Sequence, residues 1–239
     1  MKRKLPVIII VAVLLAALGG GALLMRSSES SPSSTSTTNT SQPKPDPKSN
    51  RATSAPTSAP NVSPAAHSRG AANAPLLLEE FGDFQCPPCG SLHPILKRVE
   101  QDYASRVRVV FHNYPIRSRH KHAAEAARAA EAAGLQGKFW EMHDLLFEKQ
   151  KEWEEAESVR PIFLNYARTL GLDAARFAQD IDGTLVSNRV LNDEAEAQSR
   201  GVTGTPTVFI NGREVPFEET TTYEKLAAVI NRELAAANK

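Results

Sequence analysis

Leu76-Leu77-Leu78-Glu79-Glu80-Phe81-Gly82-Asp83-Phe84-Gln85-Cys86-Pro87-Pro88-Cys89 is the stretch on which the reading of this chain turns. The apolar run from Leu76 to Phe81 suits a buried strand. Gly82 to Gln85 lead out of it into a helix with Leu92, Ile95, Leu96 and Val99 on one face and a kink expected at Pro94. Cys86 then stands at a helix N-terminus, where unpaired N–H groups and the helix dipole stabilise a thiolate. Such positions lower a thiol pKa from about 8.5 to roughly 3.5–7.5. Cys89 follows one turn later on the same face, closer to the sheet and less exposed, and can close a small ring with Cys86. Pro87 and Pro88 fit a first turn that needs no N–H donors, and they stiffen the ring.

These are the only two cysteines in 239 residues. That count excludes an all-thiolate zinc site, an iron–sulfur cluster and a multi-bridge scaffold. It also leaves no spare thiol to mispair in an oxidising compartment. An inert local bridge is the bland reading, but closing so short a loop removes little unfolded-state entropy. A zinc or copper site would need two further ligands, and the six histidines are scattered without paired spacing. His93, one turn after Cys89, reads as a half-buried helix histidine or as a partner for the pair. The redox-active reading is the one adopted, with no metal ligands assigned.

Outward from the cysteines, Arg106 to Phe111 reads as a second strand, which makes a β-α-β unit with parallel strands and a right-handed crossover. From about residue 118 to 198 the pattern is helical: an alanine-rich stretch from His122 to Ala133, an apolar face running from Phe139 to Phe147, and shorter helices to Gln198. Strand character returns at Thr205 to Ile210. Asn211-Gly212 marks a hairpin, and Arg213 to Phe217 is expected to form the return strand. Thr221 with Glu224 suggests a capping box for a last helix that buries Leu226, Val229, Ile230 and Leu234. Gly201-Val202-Thr203-Gly204-Thr205-Pro206 puts a proline at the start of a strand after a glycine-containing turn. The residues alone admit a cis bond or an ordinary trans edge-strand proline there.

Taken together, Cys86-Pro87-Pro88-Cys89 after a buried strand, the helical insertion with Gly137-Lys138-Phe139-Trp140-Glu141-Met142-His143-Asp144, and the run from Gly201 to Gly212 resemble the DsbA-like branch of the thioredoxin superfamily. The resemblance covers essentially all of Pro75 to Lys239. It implies an α/β thioredoxin fold, with the helical insertion between the β-α-β and β-β-α halves. It further implies a cis Thr205–Pro206 bond packed against the cysteine pair, and Thr205 offering its backbone to an extended substrate strand. Glu80, six residues before Cys86, would be the buried acid that relays a proton to or from Cys89; its bland reading is a solvated strand-end carboxylate. One departure stands out. The best-known oxidase of the branch has a histidine where this chain has Pro88, which donates nothing to the Cys86 thiolate, so a weaker oxidant is expected.

The rest of the chain bears on location. Residues 1–26 pair the basic cluster Lys2-Arg3-Lys4 with an apolar run from Leu5 to Met25, long enough to cross a bilayer. Orientation by the basic residues puts everything after Arg26 outside the cytoplasm. The reading adopted is an uncleaved inner-membrane anchor; cleavage near Gly19 to Ala22 would instead leave a periplasmic or secreted protein. Residues 27–74, rich in Ser, Thr, Pro, Ala and Asn, hold Val62 as their one sizeable aliphatic side chain. They are expected to be a disordered tether. Residues 75–239 form the one segment able to build a core. A net charge of +1, from 28 basic and 27 acidic side chains, removes any global electrostatic case for nucleic acid.

The expected function is extracytoplasmic thiol–disulfide exchange. Catalysis is assigned to Cys86, Cys89 and Glu80, substrate binding to Thr205 and Pro206, and the tuning dipeptide to Pro87 and Pro88. The Cys86–Cys89 disulfide itself serves in place of any cofactor. By the resemblance, the partners are exported proteins with cysteine pairs and a membrane redox protein that regenerates the disulfide. The alternatives are a reductase or isomerase using the same pair, and a tethered metal-binding module.

Overall fold

A computed structural model describes residues 67–237. Strands β1 (His67–Arg69), β2 (Leu76–Gly82), β3 (Val107–Asn113), β4 (Thr207–Ile210) and β5 (Arg213–Val215) form one sheet in the order β1-β3-β2-β4-β5. β2 and β3 run parallel, from Leu76 opposite Val107 to Gly82 opposite Asn113, and the other neighbours are antiparallel. Helix α1 (Pro87–Asp102) makes the crossover between the two parallel strands and continues through Pro94. Between β3 and β4 lie α2 (Ala123–Gly134), α3 (Phe139–Glu148), α4 (Gln150–Trp153), α5 (Arg160–Thr169), α6 (Ala174–Asp180) and α7 (Thr184–Ser199). After β5 come α8 (Phe217–Thr220) and α9 (Tyr223–Ala237). This is the thioredoxin architecture with a helical insertion.

Strand alternation sorts the core. Leu76 and Leu78 of β2, with Val107, Val109, Val208 and Ile210, meet Leu92, Leu96 and Val99 of α1 and Leu226, Val229 and Ile230 of α9. On the other face Phe81 and Phe209 pack with Ala197 and Val202. The insertion builds its own core from Met142, Leu146, Trp153, Phe163, Phe177 and Ile181, which runs without a break into Phe84, Cys86 and Cys89. The two cysteines therefore sit at the seam between the sheet and the insertion.

Three boundaries differ from the sequence reading. The polar stretch read as tether up to Ala74 is structured from His67 onward, where β1 pairs with β3. Its order comes from partners rather than from apolar content. His67 stacks on Phe139 at 3.5 Å and reaches Glu131, while Arg69 pairs with Glu100 and Asp144 and lies over Trp140. The return strand stops at Val215, because Pro216 has no N–H for the ladder and Phe217–Thr220 wind into α8 instead. That shifts the final helix cap by one residue: the Thr221 hydroxyl is spent on the Glu218 carbonyl, and Thr222 Oγ1 accepts from the Lys225 N–H. The anchor expected at residues 1–26 and the tether as far as residue 66 lie outside the described residues. Among the described residues no helix is long and apolar enough to cross a membrane.

Candidate active site

The segment between β2 and α1 is pinned from several sides. The buried carboxylate of Asp83 accepts from the N–H groups of Gln85 and Ile116, both at 2.8 Å, and lies 2.7 Å from His120 Nδ1. Its carbonyl accepts the Cys86 N–H at 3.0 Å. Cys86 is the N-cap of α1, with φ −74° and ψ 121°, the extended conformation favoured before a proline. Pro87 and Pro88 occupy the first helical positions. Both cysteines are unbridged thiols.

The electrostatics separate the two sulfurs. The Cys86 thiol is lowered from 9.0 to about 6. A hydrogen bond from the Cys89 thiol is the largest cause; burial opposes it, and the Thr205 side chain and Cys89 N–H add to it. Cys89 moves the other way, pushed up by burial, by its own donation to Cys86 and by the charge of Glu80. Glu80 is 2% exposed on the α1 side of β2, and its Oε1 has no hydrogen-bond partner among the described residues. Burial, with the Cys86 charge adding, raises its carboxyl to about 8. Thus the solvated-carboxylate reading of Glu80 does not hold. Exposure differs less than the sequence suggested: Cys86 keeps 5% of its surface and Cys89 none.

The cis-proline region closes over this centre. The Thr205–Pro206 bond is cis, and Cys86 Sγ lies 3.4 Å from the Thr205 carbonyl oxygen. The segment leading there is anchored by Arg200, whose guanidinium makes two hydrogen bonds to Glu79, at 2.8 and 3.2 Å, and lies over Phe209. Beside the cysteines, Pro87, Pro88, Leu92, Ile95 and Phe217 line a groove of about 320 Å³.

The structure thus brings Cys86, Cys89, Glu80, Pro87, Pro88, Thr205 and Pro206 into one region. His93 faces the insertion, stacked on Phe147 and edge-on to His143, and burial lowers its imidazole to about 4. Two clusters gather three potential metal ligands each: His93, His143 and Asp144, and Glu79, His112 and Glu196. Neither contains a cysteine, and Asp144 Oδ2 is already held by Arg69 and Lys97. The sequence reading missed Phe217, which it placed in a strand. It also missed Gln150, whose amide donates to the Phe84 and Cys86 carbonyls beside the cysteines, and Gln85, whose amide bonds the backbone of Glu154 and His122 in the insertion. A glutamine in a helical stretch carries no signal that its partner is another segment's carbonyl.

A family model described as thioredoxin matches residues 62–232. The oxidised BdbD of Bacillus subtilis superposes with a TM-score of 0.64 at 24% identity, covering 72% of this chain and 94% of that one. A thioredoxin-like oxidoreductase of Silicibacter pomeroyi gives 0.61 at 26% identity, over 71% and 92%. DsbA2 of Pseudomonas aeruginosa gives 0.57 at 26%, over 72% and 96%. Among curated sequences, a protein named Na(+)/H(+) antiporter NhaA 3 from Salinispora tropica is 42% identical over 147 residues, which are 62% of this chain and 22% of the antiporter. The chain spans less than a quarter of the length of such relatives.

Proposed function

The chain belongs to the thioredoxin family, and from that premise we propose that it is a DsbA-like protein-disulfide oxidoreductase, an extracytoplasmic dithiol oxidase that introduces disulfides into exported proteins through Cys86 and Cys89. The observation that carries this reading is the placement of the pair, Cys86 at the N-cap of α1 beside the cis Thr205–Pro206 bond and Cys89 fully buried behind it, which lowers the first thiol and raises the second. A stabilised thiolate favours the reduced pair, and a pair that favours reduction oxidises its clients.

In the oxidised protein a client thiolate attacks Cys86 Sγ. A client–Cys86 bond forms, the Cys86–Cys89 bond breaks, and its electron pair leaves on Cys89. Cys89 takes up a proton, relayed in this reading by the neutral Glu80 carboxyl. A second client thiolate then attacks the client sulfur of the mixed disulfide and expels Cys86 as a stabilised thiolate. The client loses two electrons and the pair gains them. Thr205 offers backbone groups to the client segment, and Pro206 packs behind it. The Cys86–Cys89 disulfide is the only electron carrier these steps require. Regeneration falls to a membrane redox partner. The N-terminal residues 1–26 are assigned as the anchor holding the domain outside the cytoplasm, with the tether beyond them.

The test is a Cys89→Ala variant of the full chain expressed in cells. Client proteins accumulating as mixed disulfides on Cys86, drawn from reduced precursors, support the oxidase. Clients drawn from already oxidised proteins point to a reductase, and no adducts contradict the exchange reading.

A further inference from the structure

The start of the redox helix is gripped by one amide from the helical insertion. Gln150, the first residue of α4, is 5% exposed. Its Nε2 donates to the Phe84 carbonyl at 2.7 Å and to the Cys86 carbonyl at 3.1 Å. Those carbonyls flank Gln85, whose amide reaches back into the insertion: Nε2 donates to the Glu154 carbonyl and Oε1 accepts the His122 N–H, each at 2.7 Å. The Cys86 carbonyl also accepts the Gly90 N–H at 3.1 Å, the first bond of the helix ladder. A Cβ on Gly90 would stand 2.7 Å from Gln150 Oε1, so the amide is seated against a bare α-carbon.

We propose that Gln150 is a positioning residue for the exchange reaction, with Gly90 kept free of a side chain so that its amide can reach the Phe84 and Cys86 carbonyls. Pro87 already confines Cys86 to extended ψ, but it does not fix how the peptide units from Phe84 to Cys86 face the helix. Gln150 does so by holding two of their carbonyls. That orientation aims Cys86 Sγ at the Cys89 N–H and thiol. The same donors cover the negative ends of two peptide dipoles next to a sulfur that must carry charge. Without the amide the Phe84 carbonyl loses this donor and the Cys86 carbonyl keeps the Gly90 N–H, so the segment can turn and the thiolate loses support.

This inference rests on Cys86 being the acidified sulfur, and the experiment separates the two claims. The full chain is reduced, and the Cys86 pKa and the reduction potential against glutathione are measured for the parent, Gln150→Leu, Gly90→Ala and Trp153→Phe. Gly90→Ala keeps every hydrogen-bonding atom and improves helix propensity, so it informs even if Gln150→Leu does not fold. Trp153→Phe removes another buried α4 bond, indole Nε1 to the Leu146 carbonyl, which involves neither the Phe84 nor the Cys86 carbonyl. The expected result is a Cys86 pKa raised by about one unit, a tenfold change in the thiol–thiolate equilibrium, in Gln150→Leu and Gly90→Ala. Their potentials move toward more reducing values, and Trp153→Phe changes neither quantity. Unmoved values in the first two variants, or an equal shift in Trp153→Phe, overturn the positioning role alone. A parent whose Cys86 titrates as an ordinary thiol overturns the exchange reading with it.

Discussion

Cys86 Sγ and the carbonyl oxygen of Thr205 lie 3.4 Å apart across 119 positions of sequence. The β-α-β half supplies the sulfur and the β-β-α half supplies a carbonyl within hydrogen-bonding reach of it. In the proposed mechanism a client bonded to Cys86 leaves the site alongside Thr205. The Thr205 side chain also lowers the Cys86 pKa. Replacing it by an isostere without a hydroxyl, Thr205→Val, is expected to raise that pKa by roughly half a unit to one unit. Client oxidation should slow most where the parent thiolate begins to protonate. The thiolate titration together with the pH–rate profile checks this.

Glu80 supplies a second prediction. Its carboxyl ionises at about 8 in the fold against an ordinary 4.5. For a carboxyl raised in this way, stability is intact below the unfolded value and is lost as pH climbs toward the folded one. Glu80→Gln should therefore match the parent near pH 4 and exceed it at pH 7, by on the order of 3 kcal/mol. Exchange by the variant should be slower despite the firmer fold, because in the proposed mechanism Cys89 then loses its proton relay. Urea unfolding at the two pH values, beside client oxidation rates, tests both halves.

A third concerns the buried histidine of β3. Burial opposes the charge of His112, but hydrogen bonds to Asp193 and Glu79 raise it to about 9 from 6.5. Here the stabilisation is complete below the unfolded value and disappears as pH rises through the folded one. Asp193 also accepts the backbone and side-chain N–H groups of Asn113. Asp193→Asn should cost about 3 kcal/mol at pH 6, as expected when a buried charge loses its partner, and clearly less above pH 9. A cost independent of pH would refute the ionic account of this network.

Gly82 ends β2 with its α-carbon under the Phe111 ring, where an added Cβ would fall on the aromatic Cε2 and Cζ. Phe111 packs in turn on Phe84, Phe139 and His143. Gly82→Ala is expected to lose about 1–3 kcal/mol through overpacking and to alter the near-ultraviolet circular dichroism while leaving the Cys86 titration in place. Unchanged stability would mean that the ring has room to move.

The parts of the fold written in short-range pattern were legible from the residues: the β2 apolar run, the helix bearing the cysteine pair, the Asn211-Gly212 hairpin and the apolar face of α9. So were the positions of Cys86, Cys89 and Pro206. What escaped depends on distant partners. β1 carries no apolar signal and is held by Phe139, Glu131, Glu100 and Asp144. The residues around Glu80 fit a solvated or a buried carboxyl equally well, and only the cover of α1 over its face of β2 decides for burial. The grip of Gln150 on the cysteine segment spans 64 and 66 positions, and no local pattern encodes it.

The most direct test of the account is a thiolate absorbance titration of the fully reduced protein, with Cys86→Ser and Cys89→Ser assigning each step. The account predicts one thiol ionising near pH 6, abolished by Cys86→Ser, and a second that stays protonated beyond pH 9. Two thiols titrating together near 9 would contradict it.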